Sequence, residues 1–564
     1  MGLSIGPDPL MLCLRILGKK KLGITIIHRH SFHSLTTSRC RQKSNALFSY
    51  TSGRWLYDEE SQLRKRYVEF NVDALKHCAS QATGSVCVKL NKLPEGLHNK
   101  VFSLQMENGR EVIARIPNPN AGNSRIVVSG EVATLEFLHN ILDIPVPKVL
   151  AWSSSALQSN AVGTEFILMD RVKGVQLSEV WDDMSERQRF NLVKNVVEIE
   201  KRLVDIPLSG YGGLYHREIL VDNDSSFFEA ISPGQMPGKE DDISKFVIGP
   251  TPERAFYTGE GEEPLNGRGP WKSAVEYLTA IAKREISTIQ EFNKTNTDGL
   301  SSYLRPANTS VSSSLHVRLL EQFISVLPYI IPPLELLKPT LMHQDLHFDN
   351  IFVNKTDPSE ISGIIDWQGT YISPIFLQAR FPSIFDCDDL YPWGAIQPAL
   401  PTDFHTLTLE EKRLAEKSLD RLRLKKFYEL ASRKMNPLLV KAMDSMRHDE
   451  YPTSFIFYIV QQSALDGPIP LRELLIQVYE QWSELTGRNG ETPPCPISFT
   501  EYEISQARQQ AEKWGEAFSE FENLRVQILG KEGWVSHEQH EEAKRQFDNS
   551  KGELKRLRER LDQI

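Results

Sequence analysis

Two runs of alternating apolar and polar residues dominate the first part of the chain. Val101–Met106 and Glu111–Ile116 alternate as half-buried strands do, and Asn108-Gly109 between them is a strong hairpin signal. Apolar residues at helical spacing follow from Gly130 to Asn140, and the wholly apolar run Phe166–Met169 predicts a buried strand. These patterns predict a small sheet with one helix.

From about Leu177 onward the pattern becomes mostly helical. Apolar residues recur at three- and four-residue spacing in Arg189–Leu203, Trp271–Phe292 and Leu315–Pro328. The polar stretch of about residues 209–269 is rich in Gly and Pro and too long for an ordinary loop. Two interpretations of this stretch stay open: a lid or specificity insert over a substrate, or a pair of strands that caps the helical region.

The richest chemistry lies in a polar loop followed by two short apolar runs. The loop carries Asp345 and Asn350, and the second run, Ile361–Ile365, delivers Asp366 at its end. Folding the two runs into a hairpin brings the three side chains to one edge. Two carboxylates and an amide oxygen suit Mg²⁺ that is shared with substrate phosphates, which is what phosphoryl transfer needs.

The spacing of these residues carries a family resemblance. His343-x-Asp345-x-x-x-x-Asn350, followed sixteen residues later by Asp366 in an Ile-Ile-Asp-Trp run, resembles the aminoglycoside phosphotransferase (choline kinase-like) branch of the protein-kinase-like fold. Over about residues 60–550 the chain also resembles a fungal group in that branch, the family of altered inheritance of mitochondria protein nine. The segments that support this second resemblance are Glu111–Pro117, Ile144–Trp152 and Arg268–Trp271.

The resemblance implies a fold and a division of the chain. The implied fold is α+β and bilobal, like that of protein kinases, with a β-rich N-lobe and a helical C-lobe. We expect a basic, disordered presequence in residues 1–55, the N-lobe in 56–170, the C-lobe with the catalytic loop and the insert in 171–530, and a charged C-terminal helix in 531–564. Ser536 and Gln539 resemble a capping box for that last helix.

The resemblance also implies roles for four residues of the motif. Asp345 matches the catalytic base, Asn350 a Mg²⁺ ligand, Asp366 the principal Mg²⁺ ligand, and His343 the residue that supports the catalytic loop. His347 and Asp349 lie in the same loop but match no required position, so we expect them on the substrate side or in solvent.

The N-lobe departs from the family pattern in two places. Arg115 stands on the strand where most relatives have lysine, and Glu131, which opens the next helix in this interpretation, has suitable spacing to be its partner. Arginine can also bind phosphate, through two nitrogens of its guanidinium group at once. The alternative is that Arg115 and Glu131 form an ion pair on the surface. The segment that would form the phosphate loop contains one glycine, Gly96. Met169 would lie at the hinge between the lobes, where backbone groups meet adenine.

Charge is unevenly distributed along the chain. Residues 1–57 hold nine Lys or Arg and one acid, so they carry +8 and leave −17 for the rest of a chain whose total is −9. This basic segment, rich in Ser and Thr, is typical of a mitochondrial presequence that the import machinery recognises, although a basic tail stays open. The negative total argues against nucleic acid as a partner, and the chain contains no apolar run long enough to span a membrane.

Together these observations predict a mitochondrial enzyme that uses ATP and Mg²⁺ to phosphorylate a hydroxyl of a small molecule. The acidic body would suit a cationic acceptor, although bulk charge is a poor guide to a pocket. The alternative is a pseudokinase that serves as a binding or scaffold protein, which Arg115 and the poor glycine loop favour. A protein kinase is the weaker interpretation, because no Asp-Phe-Gly and Ala-Pro-Glu pair brackets an activation segment.

Overall fold

A five-stranded antiparallel sheet forms the core of the small lobe. The computed structural model describes residues 45–155, 160–221, 226–257, 267–292, 310–387, 391–447, 452–486, 492–530 and 533–564. The small lobe and the segment before it contain α1 (Asn45–Phe48), β1 (Arg54–Trp55), α2 (Glu59–Arg64), α3 (Val72–Thr83), β2 (Cys87–Lys92), β3 (Asn99–Met106), β4 (Glu111–Pro117), α4 (Ser124–Asn140), β5 (Val149–Ser153) and β6 (Phe166–Asp170).

The sheet has the order β2-β3-β4-β6-β5, and helices cover both of its faces. Phe102 and Leu104 of β3 pack in one apolar cluster with Leu75 of α3, while Ile167 of β6 packs in another with Val132 of α4. Burial on both faces explains why β6 is wholly apolar instead of alternating. The predicted hairpin between β3 and β4 is confirmed.

The large lobe is mostly helical, and the predicted bilobal α+β architecture is therefore confirmed. Its helices and strands, outside the insert at residues 209–269, are β7 (Val175–Gln176), α5 (Leu177–Val180), α6 (Glu186–Asp205), α9 (Ala274–Phe292), α10 (Ser310–Ile330), β11 (Pro339–Leu341), β12 (Ile351–Val353), β13 (Ile361–Ile364), β14 (Ile372–Pro374), α11 (Ile375–Gln378), α12 (Leu409–Met435), α13 (Pro437–Ser445), α14 (Ile456–Gln461), α15 (Ser463–Asp466), α16 (Pro468–Glu480), α17 (Trp482–Thr486), α18 (Glu501–Leu529), β15 (Trp534–Val535) and α19 (His540–Asp562). In the part of the chain that the structure describes, no helix combines the length and apolar character needed to cross a membrane.

The insert forms a small sheet of its own. It contains β8 (Gly213–His216), α7 (Arg217–Val221), β9 (Phe228–Glu229), α8 (Glu240–Ile243) and β10 (Phe246–Gly249), with the strand order β8-β10-β9. The sheet packs against α4: a Cβ added at Gly130 would lie 3.3 Å from the Tyr215 ring, and the rings of Phe137 and Phe246 lie 5.2 Å apart. The strand-pair interpretation is the closer one, but the sheet has three strands and supports the small-lobe helix.

Three sequence-based boundaries are wrong. Helix α4 begins at Ser124, so Glu131 lies about two turns inside it and does not open it. Helix α19 begins at His540 and has no side-chain cap, because the Ser536 hydroxyl accepts from the Gln539 amide in the turn before the helix. The presequence predicted to end at residue 55 overlaps folded structure, since α1 and β1 lie within it; residues 1–44 lie outside the described residues.

The segment around β1 connects the small lobe to the C-terminal helices. Trp55 pairs with Trp534 in a two-stranded ribbon, and a Cβ at Gly53 would lie 2.5 Å from the Trp534 ring. Leu56 and Tyr57 then enter an apolar cluster made by α18 and α19. Leu56 and Tyr57, which lie near the start of the described chain, therefore cover the apolar face between α18 and α19.

Acidification should destabilise the fold through a buried histidine. His316 of α10 is fully buried with Nε2 2.8 Å from Ser463 Oγ, and burial lowers its pKa to about 4. The folded protein keeps the imidazole neutral, whereas the unfolded chain protonates it near pH 6.5, so this stabilisation is present above pH 6.5 and is lost as the pH falls toward 4. The difference corresponds to about 3 kcal/mol.

We therefore expect His316→Gln to flatten the fall in melting temperature between pH 6.5 and pH 4, as measured by differential scanning fluorimetry. The matched control is His77→Gln, because His77 is exposed on α3. Equal pH profiles of wild type and His316→Gln would contradict the prediction.

Candidate active site

The loop between β11 and β12 is held by a partly buried histidine, His343. The backbone amide of Asp345 donates to Nδ1 of His343 over 3.1 Å, so the imidazole proton is on Nε2, which donates to the Ile365 carbonyl over 2.9 Å. Burial lowers the pKa of His343, which keeps it in this neutral form. The Trp367 ring packs edge-on against it at 4.7 Å. His343 thus connects the loop to the strand that leads to Asp366.

Asp345 and Asn350 are fixed by the same loop. Asn350 is buried, and its Nδ2 donates to the Asp345 carbonyl over 2.9 Å, which leaves its side-chain oxygen for another ligand. The Asp345 carboxylate is partly exposed, and His347 Nε2 lies 3.7 Å from its Oδ2. Because His347 Nδ1 accepts from the Asp349 amide, its proton is on Nε2 and faces Asp345. His347 is therefore closer to the candidate base than the sequence indicated.

Asp366 has an unusual backbone conformation. Its φ is +67°, in the left-handed region that side chains with a Cβ rarely adopt. Such conformations cluster at functional sites, where the surrounding structure enforces them. Here the turn brings the Asp366 carboxylate to the small lobe, where Oδ1 lies 2.7 Å from Arg115 Nη2.

Arg115 joins the two lobes. Its guanidinium, almost fully buried, donates to Glu131 of α4, to Asp366, and to Gln368 Oε1 over 2.6 Å. Burial raises the pKa of Glu131, and the positive charge of Arg115 opposes that rise. The alternative of a weak surface ion pair is wrong, because both partners are buried. The arginine thus holds two carboxylates that come from different lobes.

Two polar residues of the site were missed in the sequence. The amide groups of Asn99 and Gln368 meet at 2.6 Å, beside the guanidinium of Arg115. Asn99 begins β3 directly after the phosphate loop, and Gln368 stands two residues after Asp366. In the sequence, both residues stand next to predicted site residues, and this position is the signal that could identify them. Asparagine and glutamine do not indicate a functional site on their own.

The loop between β2 and β3, which the sequence predicts to bind phosphate, is held by side chains. The buried Glu95 carboxylate accepts from the Thr51 amide over 2.7 Å and lies 3.2 Å from Lys100 Nζ, whose pKa burial lowers to about 8. At its far end His98 Nε2 lies 2.9 Å from Arg254 Nη1 of the insert. Gly96 is exposed between them, and a Cβ there would meet no atom within 4 Å. The backbone near Gly96 is therefore accessible to a ligand.

Met169 lies at the end of β6, next to the link between the lobes. Its backbone pairs with Ile113 and Val149, and its side chain packs in the apolar cluster under α4. Asp170, which follows, is held by Arg110 at 2.6 Å. Any contact of Met169 with a nucleotide would therefore be made by its backbone.

Protein side chains alone do not complete a metal site here. Within the described ranges, no group of three or more His, Cys, Asp or Glu could hold a metal ion. Asp366 and Asn350 supply a carboxylate and an amide oxygen, so a metal ion at this edge would need further oxygen ligands.

Comparison with known sequences identifies a family and several proteins that this chain resembles. The profile of the family described as "Phosphotransferase enzyme family" matches residues 89–248 and 251–377. A subtelomeric hrmA-associated cluster protein of Aspergillus fumigatus is 32% identical over 471 residues, which cover 76% of this chain and 86% of that protein. The protein of Yarrowia lipolytica named "Altered inheritance of mitochondria protein 9, mitochondrial" is 23% identical, over 88% of this chain and 86% of that protein.

A solved structure also matches the chain. The streptomycin–ATP–APH(2")-IIa ternary complex is 14% identical with a TM-score of 0.33, and the match covers 75% of this chain and 98% of that one.

Removing the charge of Arg115 should lower the free energy of unfolding of the protein. Arg115→Met leaves the Glu131 and Asp366 carboxylates without their shared partner, which costs about 3–5 kcal/mol for a buried pair. Arg115→Lys should recover part of this loss, because lysine keeps the charge but not the fork. The free energy of unfolding of both variants is measured by urea denaturation.

The matched control is Arg110→Met, which breaks a partly exposed pair with Asp170 and should cost at most about 1 kcal/mol. If Arg110→Met were as destabilising as Arg115→Met, Arg115 would not be the connection between the lobes.

Proposed function

Since the chain belongs to the phosphotransferase enzyme family, we propose that it transfers the γ-phosphoryl group of ATP to a hydroxyl of a small molecule. The observation that carries the proposal is that His343 and Asn350 tie the loop of Asp345 to the strand end that brings Asp366 to the guanidinium of Arg115. Phosphoryl transfer depends on positioning and on stabilising charge, and these residues supply a carboxylate, hard oxygen ligands and a fixed cation.

The oxygen atoms of this edge fit Mg²⁺ shared with phosphates. Asp366 uses Oδ1 for Arg115, and its Oδ2 has no hydrogen-bond partner among the residues that the structure describes. The side-chain oxygen of Asn350 is similarly available. Mg²⁺ is usually held by one or two carboxylates together with substrate phosphates, so this incomplete protein site is suited to it. Bound there with ATP, Mg²⁺ would neutralise phosphate charge.

Asp345 is suited to receive the acceptor's proton. Its carboxylate is partly exposed and held in place by the loop around His343, so an incoming hydroxyl can reach it. The Nε2–H of His347 faces the same carboxylate. Arg115, fixed by Glu131, would supply a cation for the phosphates, and the backbone at Gly96 is open to phosphate oxygens.

The scaffold alternative has one specific observation in its favour. Arg115 occupies one oxygen of the Asp366 carboxylate, the principal metal ligand in the proposal. A protein that kept this ion pair would bind nucleotide weakly and act through its surface. The complete set of Asp345, Asn350 and Asp366 favours the enzyme.

The proposed location is the mitochondrion. Relatives in several yeasts carry the word mitochondrial in their names, and the charge of +8 in residues 1–57 suits a presequence. The import machinery would be the partner of that segment, most of which lies outside the described residues.

Asp345→Asn should reduce Mg²⁺-dependent formation of ADP by roughly 10²–10⁴-fold, because it removes the proton acceptor. The assay follows ADP release from ATP and Mg²⁺ with a panel of hydroxylated metabolites. The matched control is Asp349→Asn, four residues along the same loop, which should stay within a few-fold of wild type because its carboxylate is nearly half exposed.

A thermal-shift measurement with ATP decides between the two functions. Stabilisation by ATP that requires Mg²⁺ and disappears in Asp366→Asn supports the phosphotransferase. If ATP gives no stabilisation with or without Mg²⁺, the scaffold function becomes the better account.

A further inference from the structure

A short segment ahead of the family-matched region holds the loop between β2 and β3. In this strap, residues 51–57, the amide and the hydroxyl of Thr51 both donate to the Glu95 carboxylate, over 2.7 and 3.1 Å. In the other direction, the Glu95 amide donates to the Ser52 hydroxyl over 2.8 Å. The backbone and the side chain of Glu95 are therefore both bound to the strap, one residue before Gly96.

Glu95 is also held by the strands on either side of the loop. Its buried carboxylate lies 2.6 Å from Nζ of Lys92 on β2 and 3.2 Å from Nζ of Lys100 on β3. A buried carboxylate with several charged and hydrogen-bonded partners is confined to one position. Glu95 thus connects the strap to both strands and forms the first fixed point of the loop.

The strap and the loop share a second connection through Arg66. The Arg66 guanidinium lies over the Trp55 ring of the strap, 4.3 Å from the ring centre, and its Nε donates to the Leu97 carbonyl over 3.0 Å. Trp55 in turn pairs with Trp534 in the ribbon before α19. The strap is therefore fixed to the C-terminal part of the chain, and the loop has a second fixed point at Leu97.

Two backbone amides between these fixed points are unpaired. The amides of Gly96 and Leu97 donate to no group in the part of the chain that the structure describes, and Gly96 is exposed. Exposed backbone amides of a loop are suitable donors to phosphate oxygens. Because the loop contains one glycine, it lacks the conformational freedom of a glycine-rich loop. The positions of the two amides therefore depend on the two fixed points.

We propose that the strap is a positioning element of the nucleotide site, which holds the amides of Gly96 and Leu97 where the phosphates of a nucleotide bind. The proposal rests on the proposed phosphotransferase function and adds to the site a segment outside the family match. Thr51 and Ser52 act through Glu95 and do not touch the nucleotide. Donors that are already in place bind an anion more tightly than mobile donors, because less ordering accompanies binding.

The test compares two ligands by calorimetric titration into the full chain, a non-hydrolysable ATP analogue with Mg²⁺ and adenosine. Ser52→Ala removes the acceptor of the Glu95 amide and should weaken binding of the ATP analogue about fivefold, as expected for one lost hydrogen bond. Binding of adenosine, which has no phosphate, should stay unchanged. A general loosening of the small lobe would weaken both ligands alike.

A second pair of variants keeps the test decisive if Ser52→Ala folds poorly. Thr51→Val removes the exposed hydroxyl but keeps the amide bond to Glu95, so it should weaken binding of the ATP analogue about two- to threefold. Thr51→Ser keeps the hydroxyl and should bind the analogue as wild type does.

The matched control is Ser80→Ala. Ser80 is partly buried like Ser52, and its hydroxyl accepts from the Cys87 amide over 2.9 Å at the far end of β2. This variant loses the same kind of bond in the same lobe, so it should leave the affinity for both ligands unchanged.

The outcomes separate this proposal from the phosphotransferase function. If wild type binds the ATP analogue and Ser52→Ala binds it equally well, or loses affinity no more than Ser80→Ala does, the role of the strap is overturned while the enzyme function stands. An equal loss of affinity for adenosine and for the ATP analogue in Ser52→Ala also overturns it. If wild type binds neither ligand, the phosphotransferase proposal fails, and the nucleotide role of the strap fails with it.

Discussion

The guanidinium of Arg115 is the contact on which the candidate site depends. It holds a carboxylate of the small-lobe helix α4 and a carboxylate of the large lobe at the same time. Each of the three charges is expensive to bury alone, and together with the amides of Asn99 and Gln368 they form a connected network. The relative position of the lobes is thus tied to the electrostatics of the site.

Other parts of the chain keep this network in register. The insert sheet packs on α4 and so fixes the helix that carries Glu131, while His343 links the loop of Asp345 to the strand before Asp366. The contact between Glu131 of α4 and Arg115 of β4 is therefore maintained by other segments of the same chain. Helix α4 is held by packing on two sides, the main sheet and the insert.

Local patterns predicted the local parts of this structure. The β3–β4 hairpin follows from alternation and an Asn-Gly turn, and the grouping of Asp345, Asn350 and Asp366 follows from two short strands that must pair. The path of the insert, the partners of Arg115 and the role of Asn99 depend on contacts between residues far apart in sequence. No periodicity encodes such contacts. The start of α4 differs from the prediction because its first turn, capped by Asn123, directly follows a polar stretch.

The ribbon between Trp55 and Trp534 has a consequence for the boundaries of the folding unit. The segment of Thr51 that steadies the phosphate loop continues into this ribbon and then into the core of α18 and α19. A fragment cut to the region of the family match would lack that core and would lose the support that Thr51 gives the loop. The folding unit is therefore larger than the family-matched region, and the C-terminal helices are part of its architecture.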